Sequence, residues 1–286
     1  MPSRKPDFFV VGASRSGTTL LHHYLVQHPS IQVPVKEPSF FSDFRPPTYD
    51  SMESYLDIFV GCPPGARVGD MSTAYLPSRN AARRIREFQP QARIVIVLRS
   101  PIDRAYSMYW YKVRSFQEHL SFEGAIAAEE TRIREGWAFG FQYATSGLYA
   151  EQVLRYLDVF GRDLVRIHLF EDLKSSPGSL CLDVFRFLGV EDHAIREVRV
   201  VNRSGPPRNR LLGRVLSQPF PGRRRLRQVF PEKMKRLRDQ MLEGNLDPPS
   251  PMSPDTRALL AERFRDDVER LQGILGRDLN HWLAAS

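Results

Sequence analysis

Asp7-Phe8-Phe9-Val10-Val11-Gly12-Ala13-Ser14-Arg15-Ser16-Gly17-Thr18-Thr19-Leu20 starts as an apolar run, breaks into a glycine-bounded turn and continues as an amphipathic segment. It reads as strand, phosphate loop and helix. Glycines at 12 and 17 let the backbone wrap so that its N–H groups and the following helix N-terminus converge on one anion. The Gly-x4-Gly spacing is that of a nucleoside-triphosphate loop, but such a loop continues Gly-Lys-Ser/Thr. Here Thr18 and Thr19 follow Gly17, and the cation within the loop is Arg15.

Working outward, Leu20, Leu21, Tyr24 and Leu25 recur at helical spacing, and His28-Pro29 ends a predicted helix of about three turns. Ile31 to Val35 alternates as a short strand and delivers Lys36-Glu37-Pro38. In open α/β sheets the carboxyl ends of strands line the ligand crevice, so Lys36 and Glu37 are candidates to approach the loop, with a solvated turn as the plain alternative. Arg67-Val68-Gly69-Asp70 reads as another strand, and Asp70 is either a crevice residue or a helix cap.

Arg93 to Leu98 is a continuous apolar run of the kind buried in a parallel sheet. It ends on Arg99, where a magnesium-binding strand would end on aspartate. A guanidinium suits bidentate phosphate contact instead. Ser100-Pro101 opens a helix toward Arg114, and Ser107, about two turns along it, can share a phosphate with Arg99. Residues 136–147 form an aromatic-rich loop able to cover a site. A helix over Tyr149 to Phe160, a strand over Leu164 to Leu169 and a helix over Leu180 to Leu188 continue the alternation.

The expected fold is therefore α/β, a P-loop-like three-layer arrangement with a mostly parallel central sheet flanked by helices. With 286 residues and 42% apolar content, a large core is possible, and no linker divides the chain into separate domains. Residues 1–286 are expected to form one domain, with a basic segment at about 206–240 and a C-terminal helix at about 255–275 anchored by Trp282. From Arg208 to Arg238 the chain carries eleven Lys or Arg against the single acid Glu232, and the whole chain has 41 Lys and Arg against 33 acids, for a net charge of +8. That surplus favours anionic partners without choosing among them. Cys62 and Cys181 lack metal-ligand spacing, and no segment is long and apolar enough to span a membrane. A cytoplasmic setting follows as the expectation. The sequence carries no signal for an oligomeric state.

Two motifs in this order resemble the sulfotransferases that use 3′-phosphoadenylyl sulfate, particularly the bacterial relatives of the Golgi carbohydrate (heparan-type) enzymes. Gly12 to Thr19 resembles the segment that binds the 5′-phosphosulfate, with Arg15 where many members carry lysine. Leu98-Arg99-Ser100-Pro101-Ile102-Asp103-Arg104-Ala105-Tyr106-Ser107 is similar to the 3′-phosphate motif. Lys36-Glu37-Pro38-Ser39-Phe40-Phe41 resembles a family motif whose glutamate serves as base, with Ser39 where sugar-modifying members often carry histidine. Asn202-Arg203-Ser204 is similar to the loop that closes over the nucleotide.

The resemblance implies a sulfuryl transfer from that donor, leaving adenosine 3′,5′-bisphosphate, to a hydroxyl of a carbohydrate, glycolipid or secondary metabolite. It implies Glu37 as base, with Arg15 supporting catalysis and donor binding by Arg15, Ser16, Gly17, Thr18, Thr19, Arg99, Ser107, Asn202, Arg203 and Ser204. Lys36 and Asp70 are the acceptor-side candidates, and no metal is required. Two readings stand beside it: an ATP-dependent P-loop kinase, from the glycine spacing, and a nucleic-acid-binding protein, from the basic segment. Nucleic acid is not the expected partner, because no reader motif is present.

Overall fold

The computed structural model describes residues 4–44, 49–196, 205–209, 211, 213, 241 and 244–284. Five strands, β1 (Phe8–Gly12), β2 (Ile31–Gln32), β3 (Arg67–Met71), β4 (Arg93–Leu98) and β5 (Val165–Leu169), form a sheet in the order β2-β3-β1-β4-β5. Every neighbouring pair is parallel. The helices in chain order are α1 (Thr18–Leu25), α2 (Met52–Leu56), α3 (Ala81–Phe88), α4 (Pro101–Arg114), α5 (Phe122–Ala127), α6 (Glu129–Arg134), α7 (Tyr149–Phe160), α8 (Phe170–Ser175), α9 (Pro177–Leu188) and α10 (Pro254–Leu275).

Alternate residues of each strand face opposite layers, as the two-residue strand period requires. Phe9, Val11, Val68, Ile94 and Ile96 pack with residues of α3, α4, α7 and α10. Phe8, Val10, Met71, Val95 and Val97 pack with α1 and α9 on the other face. The sheet is thus buried on both sides, which is why its strands read as unbroken apolar runs. The three-layer α/β expectation holds, and β1 lies at the centre with β3 on one side and β4 on the other. The ends of β1, β3 and β4 therefore open side by side.

Two elements are shorter than expected. Pro29 disfavours helix in the residue before it, and the His28 ring accepts the Ser30 N–H at 3.0 Å, so α1 stops at Leu25. Pro34 has no N–H to give a ladder, so β2 is only Ile31–Gln32, and pairing resumes as one bridge from Lys36 to Met71. Helix α3 escaped the sequence reading because its buried side is small, Ala81, Ala82 and Ile85, among arginines.

The C-terminal helix begins one residue earlier than expected, at Pro254, with Ser253 as its cap. Trp282 is buried beyond it: its Nε1 donates to Glu171 at 3.0 Å and its carbonyl accepts from Ser100 Oγ at 3.4 Å. This end of the chain braces the turns that follow β4 and β5. No helix among the described residues is long and apolar enough to cross a membrane.

Candidate active site

The loop between β1 and α1 is shaped by its glycines. Gly12 passes so close to Leu76 that a Cβ would lie 2.7 Å from it, and Gly17 caps α1 at φ +87°, where a Cβ would meet Phe170 at 2.7 Å. The opening N–H groups of α1 have no partner within the helix, and Gly17, Thr18 and Thr19 border a cavity of about 850 Å³.

Arg15 projects from the loop at φ +68°, and its Nε donates to Ser107 Oγ on α4 at 3.1 Å while the guanidinium lies 5.1 Å from the Tyr111 ring centre. Burial, and then the neighbouring Arg114 and Arg99, lower its pKa to about 10. It remains a cation at neutral pH. Arg99 leaves the end of β4, donates to the Arg15 carbonyl at 3.3 Å and rests 4.8 Å from the centre of Phe170. The sheet order thus gathers Arg15, Arg99 and Ser107 on one wall.

Lys36 arrives from the other side, where its ammonium donates to Thr19 Oγ1. The strand end at residue 36 thus brings an ammonium to a loop in which Thr18, not lysine, follows Gly17. Desolvation lowers the Lys36 pKa, opposed by Glu37 and reinforced by Arg15. Glu37, in the left-handed region at φ +59°, is tied by its N–H to the Met71 carbonyl at 2.9 Å. Its carboxylate accepts the Thr73 N–H at 2.9 Å and the Thr73 hydroxyl at 3.0 Å.

Among the described residues lining the cavity, Arg15, Lys36, Arg99, Lys112, Arg114 and Lys174 are cationic, and Glu37 is the one carboxylate. Such a site attracts a polyanion and leaves one proton acceptor beside it. Arg99 and Ser107 also line an adjoining cavity of about 670 Å³, together with Arg208, whose Nε donates to Asp247 at 3.0 Å. Phe139 and Gly140, from the aromatic-rich loop, line part of the first cavity. Among the described residues no cluster of three or more His, Cys, Asp or Glu could hold a metal ion.

Two expected site residues stand elsewhere. Asp70 is fully buried and outside the cavity lining, because strand alternation puts it on the same face as Phe9 and Val68. Its oxygens accept the hydroxyls of Ser72, Tyr55 and Tyr75. Burial pushes its carboxyl up to about 6 even against those bonds. The Ser16 side chain is buried beneath the loop toward Tyr149, and its N–H donates to the Ala13 carbonyl, so its hydroxyl does not line the cavity. Asn202, Arg203 and Ser204 lie outside the described residues, as does most of the basic segment. Thr73, Lys112 and Lys174 were not singled out from the sequence. Thr73 follows β3, and only the placement of β3 beside β1 brings it to Glu37.

A parallel sheet with a glycine-bounded anion loop at its strand ends and a cationic cavity above it defines an α/β protein of P-loop-like fold. The chain belongs to the sulfotransferase family, whose sulfotransferase domain matches residues 5–204. A crystal structure of a sulfotransferase from Alicyclobacillus acidocaldarius is 33% identical and superposes with a TM-score of 0.76, covering 98% of this chain and 100% of the other. The human bifunctional heparan sulfate N-deacetylase/N-sulfotransferase 3 is 30% identical over 201 residues, 66% of this chain and 23% of its own length. The mouse counterpart is 27% identical, covering 98% of this chain. This chain spans 31% of that mouse protein.

Proposed function

We propose that this sulfotransferase takes its sulfuryl group from 3′-phosphoadenylyl sulfate and passes it to a hydroxyl of a carbohydrate-bearing acceptor, with Glu37 as general base. The observation that carries the reading is Glu37 as the single carboxylate among the described residues of a cavity otherwise walled by cations. The donor's charge suits that wall: Arg15, Lys36 and the loop would hold the 5′-phosphosulfate through Thr18 and Thr19, and Arg99 with Ser107 the 3′-phosphate. When bound, the donor supplies an activated sulfuryl group on a phosphate leaving group.

The residues of the chain do the rest. Arg15 and Lys36 balance negative charge developing on the leaving side, where preorganised cations are most effective. Glu37 accepts the acceptor's hydroxyl proton on its carboxylate, which Thr73 orients from behind. The Phe44 and Phe139 rings, 5.4 Å apart, offer an apolar platform for one face of a sugar. Lysine and arginine at 112 and 114 border the same wall. Two free cysteines, Cys62 and Cys181, agree with a cytoplasmic setting. The whole chain is taken as one catalytic domain.

Replacing Glu37 with Gln tests the base. A positioned base contributes about 10²–10⁴-fold, so kcat is expected to fall within that range while adenosine 3′,5′-bisphosphate binds as before. Transfer near the wild-type rate would sink the assignment. A second reading, transfer to an amino group, is favoured by the N-sulfotransferase names of the relatives. Assaying glycans with free amines against glycans bearing hydroxyls alone separates the two.

A further inference from the structure

Asp70, the penultimate residue of β3, does not reach the cavity, and its bonds run toward the turn that carries Glu37. One carboxylate oxygen accepts the Ser72 hydroxyl at 2.6 Å; the other accepts Tyr55 at 2.8 Å and Tyr75 at 2.7 Å. A hydroxyl has one proton to give. With that proton committed to Asp70, Ser72 Oγ faces outward as an acceptor, and it takes the Ser39 N–H at 2.9 Å. Tyr75 repeats the pattern more loosely, its oxygen accepting the Phe41 N–H at 3.5 Å.

These acceptors grip the backbone immediately after the base. Glu37 and Ser39 are both non-glycine residues in the left-handed region, at φ +59° and +56°. Each such conformation costs about 1–3 kcal/mol and persists only where its surroundings over-determine it. Thr73, next to Ser72, holds the Glu37 carboxylate itself. The segment 70–73 therefore secures the Glu37-Pro38-Ser39 turn at both ends.

We infer that Asp70 is a positioning residue for Glu37, acting through the Ser72 hydroxyl on the Ser39 N–H so that the turn presents the carboxylate to the cavity. The inference rests on Glu37 being the base. A carboxylate is required because it only accepts: its two oxygens receive three O–H donors. Asparagine would set an NH2 group against either Ser72 or the two tyrosines, and the facing hydroxyls would have to turn round.

A double-mutant cycle tests this on the full chain. Ser72→Ala keeps both tyrosine bonds to Asp70 and removes the one hydroxyl that joins Asp70 to the Ser39 N–H; Asp70→Asn is the second variant, and Ser72→Ala decides alone if that one does not fold. Each is expected to lower kcat about tenfold, with acceptor KM and bisphosphate Kd within about twofold of wild type, since misplacing a base affects the chemical step. Neither is expected to lower the residual rate of Glu37→Gln any further, because a misplaced glutamine has nothing to lose. A fall by the same factor in the Glu37→Gln background, or an unchanged kcat in folded Ser72→Ala, overturns the positioning role. Glu37→Gln that keeps the wild-type rate removes the base assignment and this role with it, and that failure is read from the single variant.

Discussion

At the scale of the residue, Arg15 puts a cation into a glycine-bounded loop that lacks the usual lysine. A guanidinium inside the loop lines the cavity among other cations, and burial with Arg114 and Arg99 lowers its pKa to about 10. The sign of the consequence is definite. A bound anion favours the charged form, so binding above the free protein's pKa must take up a proton and weakens as pH rises. Affinity for adenosine 3′,5′-bisphosphate, followed by calorimetry, is expected to hold steady from neutrality upward and to fall as pH passes about 10. Substituting Arg15 with Met should lower the neutral-pH affinity and remove the Arg15 share of that fall. An affinity that rises with pH through this range would contradict the role. The sequence singled out Arg15 and Arg99 because each breaks a pattern, a loop without lysine and a strand ending on a cation, whereas Glu37 rose above a solvated turn only through the family resemblance; all three line the cavity. Asp70 broke a pattern too, but the sequence did not show which face of β3 it occupied.

At the scale of the element, the aromatic-rich loop over residues 136–147 is held by a buried ion pair. Glu118 accepts from Arg132 at 2.6 and 2.9 Å, from the Tyr143 hydroxyl at 2.8 Å and from two backbone N–H groups. The Arg132 guanidinium also lies 4.9 Å from the Trp137 ring centre. Burial alone would raise the Glu118 pKa, but the bonds from Arg132 and Tyr143 prevail and hold it at about 2. A depressed carboxylate pKa stabilises the fold above the unfolded value, here 4.5, and that stabilisation is lost as pH falls toward about 2. Arg132→Met leaves the carboxylate buried and unpaired, so urea unfolding at neutral pH is expected to show a loss of about 3–5 kcal/mol. A loss below about 1 kcal/mol would mean that the pair contributes little, as exposed pairs do. Because Phe139 and Gly140 line the cavity, the same variant should also raise the acceptor KM.

For the whole molecule, cations from distant parts of the sequence gather where the sheet opens. Arg15, Lys36, Arg99, Lys112, Arg114 and Lys174 come from separate parts of the chain and meet at one cavity. Adenosine 3′,5′-bisphosphate is expected to raise the melting temperature, by about 2.7 kcal/mol of stabilisation at a hundred times its Kd, and the shift should shrink as salt screens the cations. ATP with magnesium should give a smaller shift, since no carboxylate stands at the end of β4 to hold the metal. A larger shift with magnesium ATP than with the bisphosphate would favour the kinase reading.

Much of the fold was legible because its signals are local. An apolar run, a glycine pair and a helix-opening proline act within a few residues, and they defined the strands, the phosphate loop and α4. The pairing of Glu37 with Thr73, the turning of Asp70 into the core and the bond from Lys36 to Thr19 in the loop were decided only by tertiary structure. They depend on β3 lying beside β1, and neither strand's own sequence states its neighbour. Side-chain direction on a buried strand is set by register, so the same aspartate that reads as a crevice residue in the chain becomes, in the fold, the buried support beneath the glutamate.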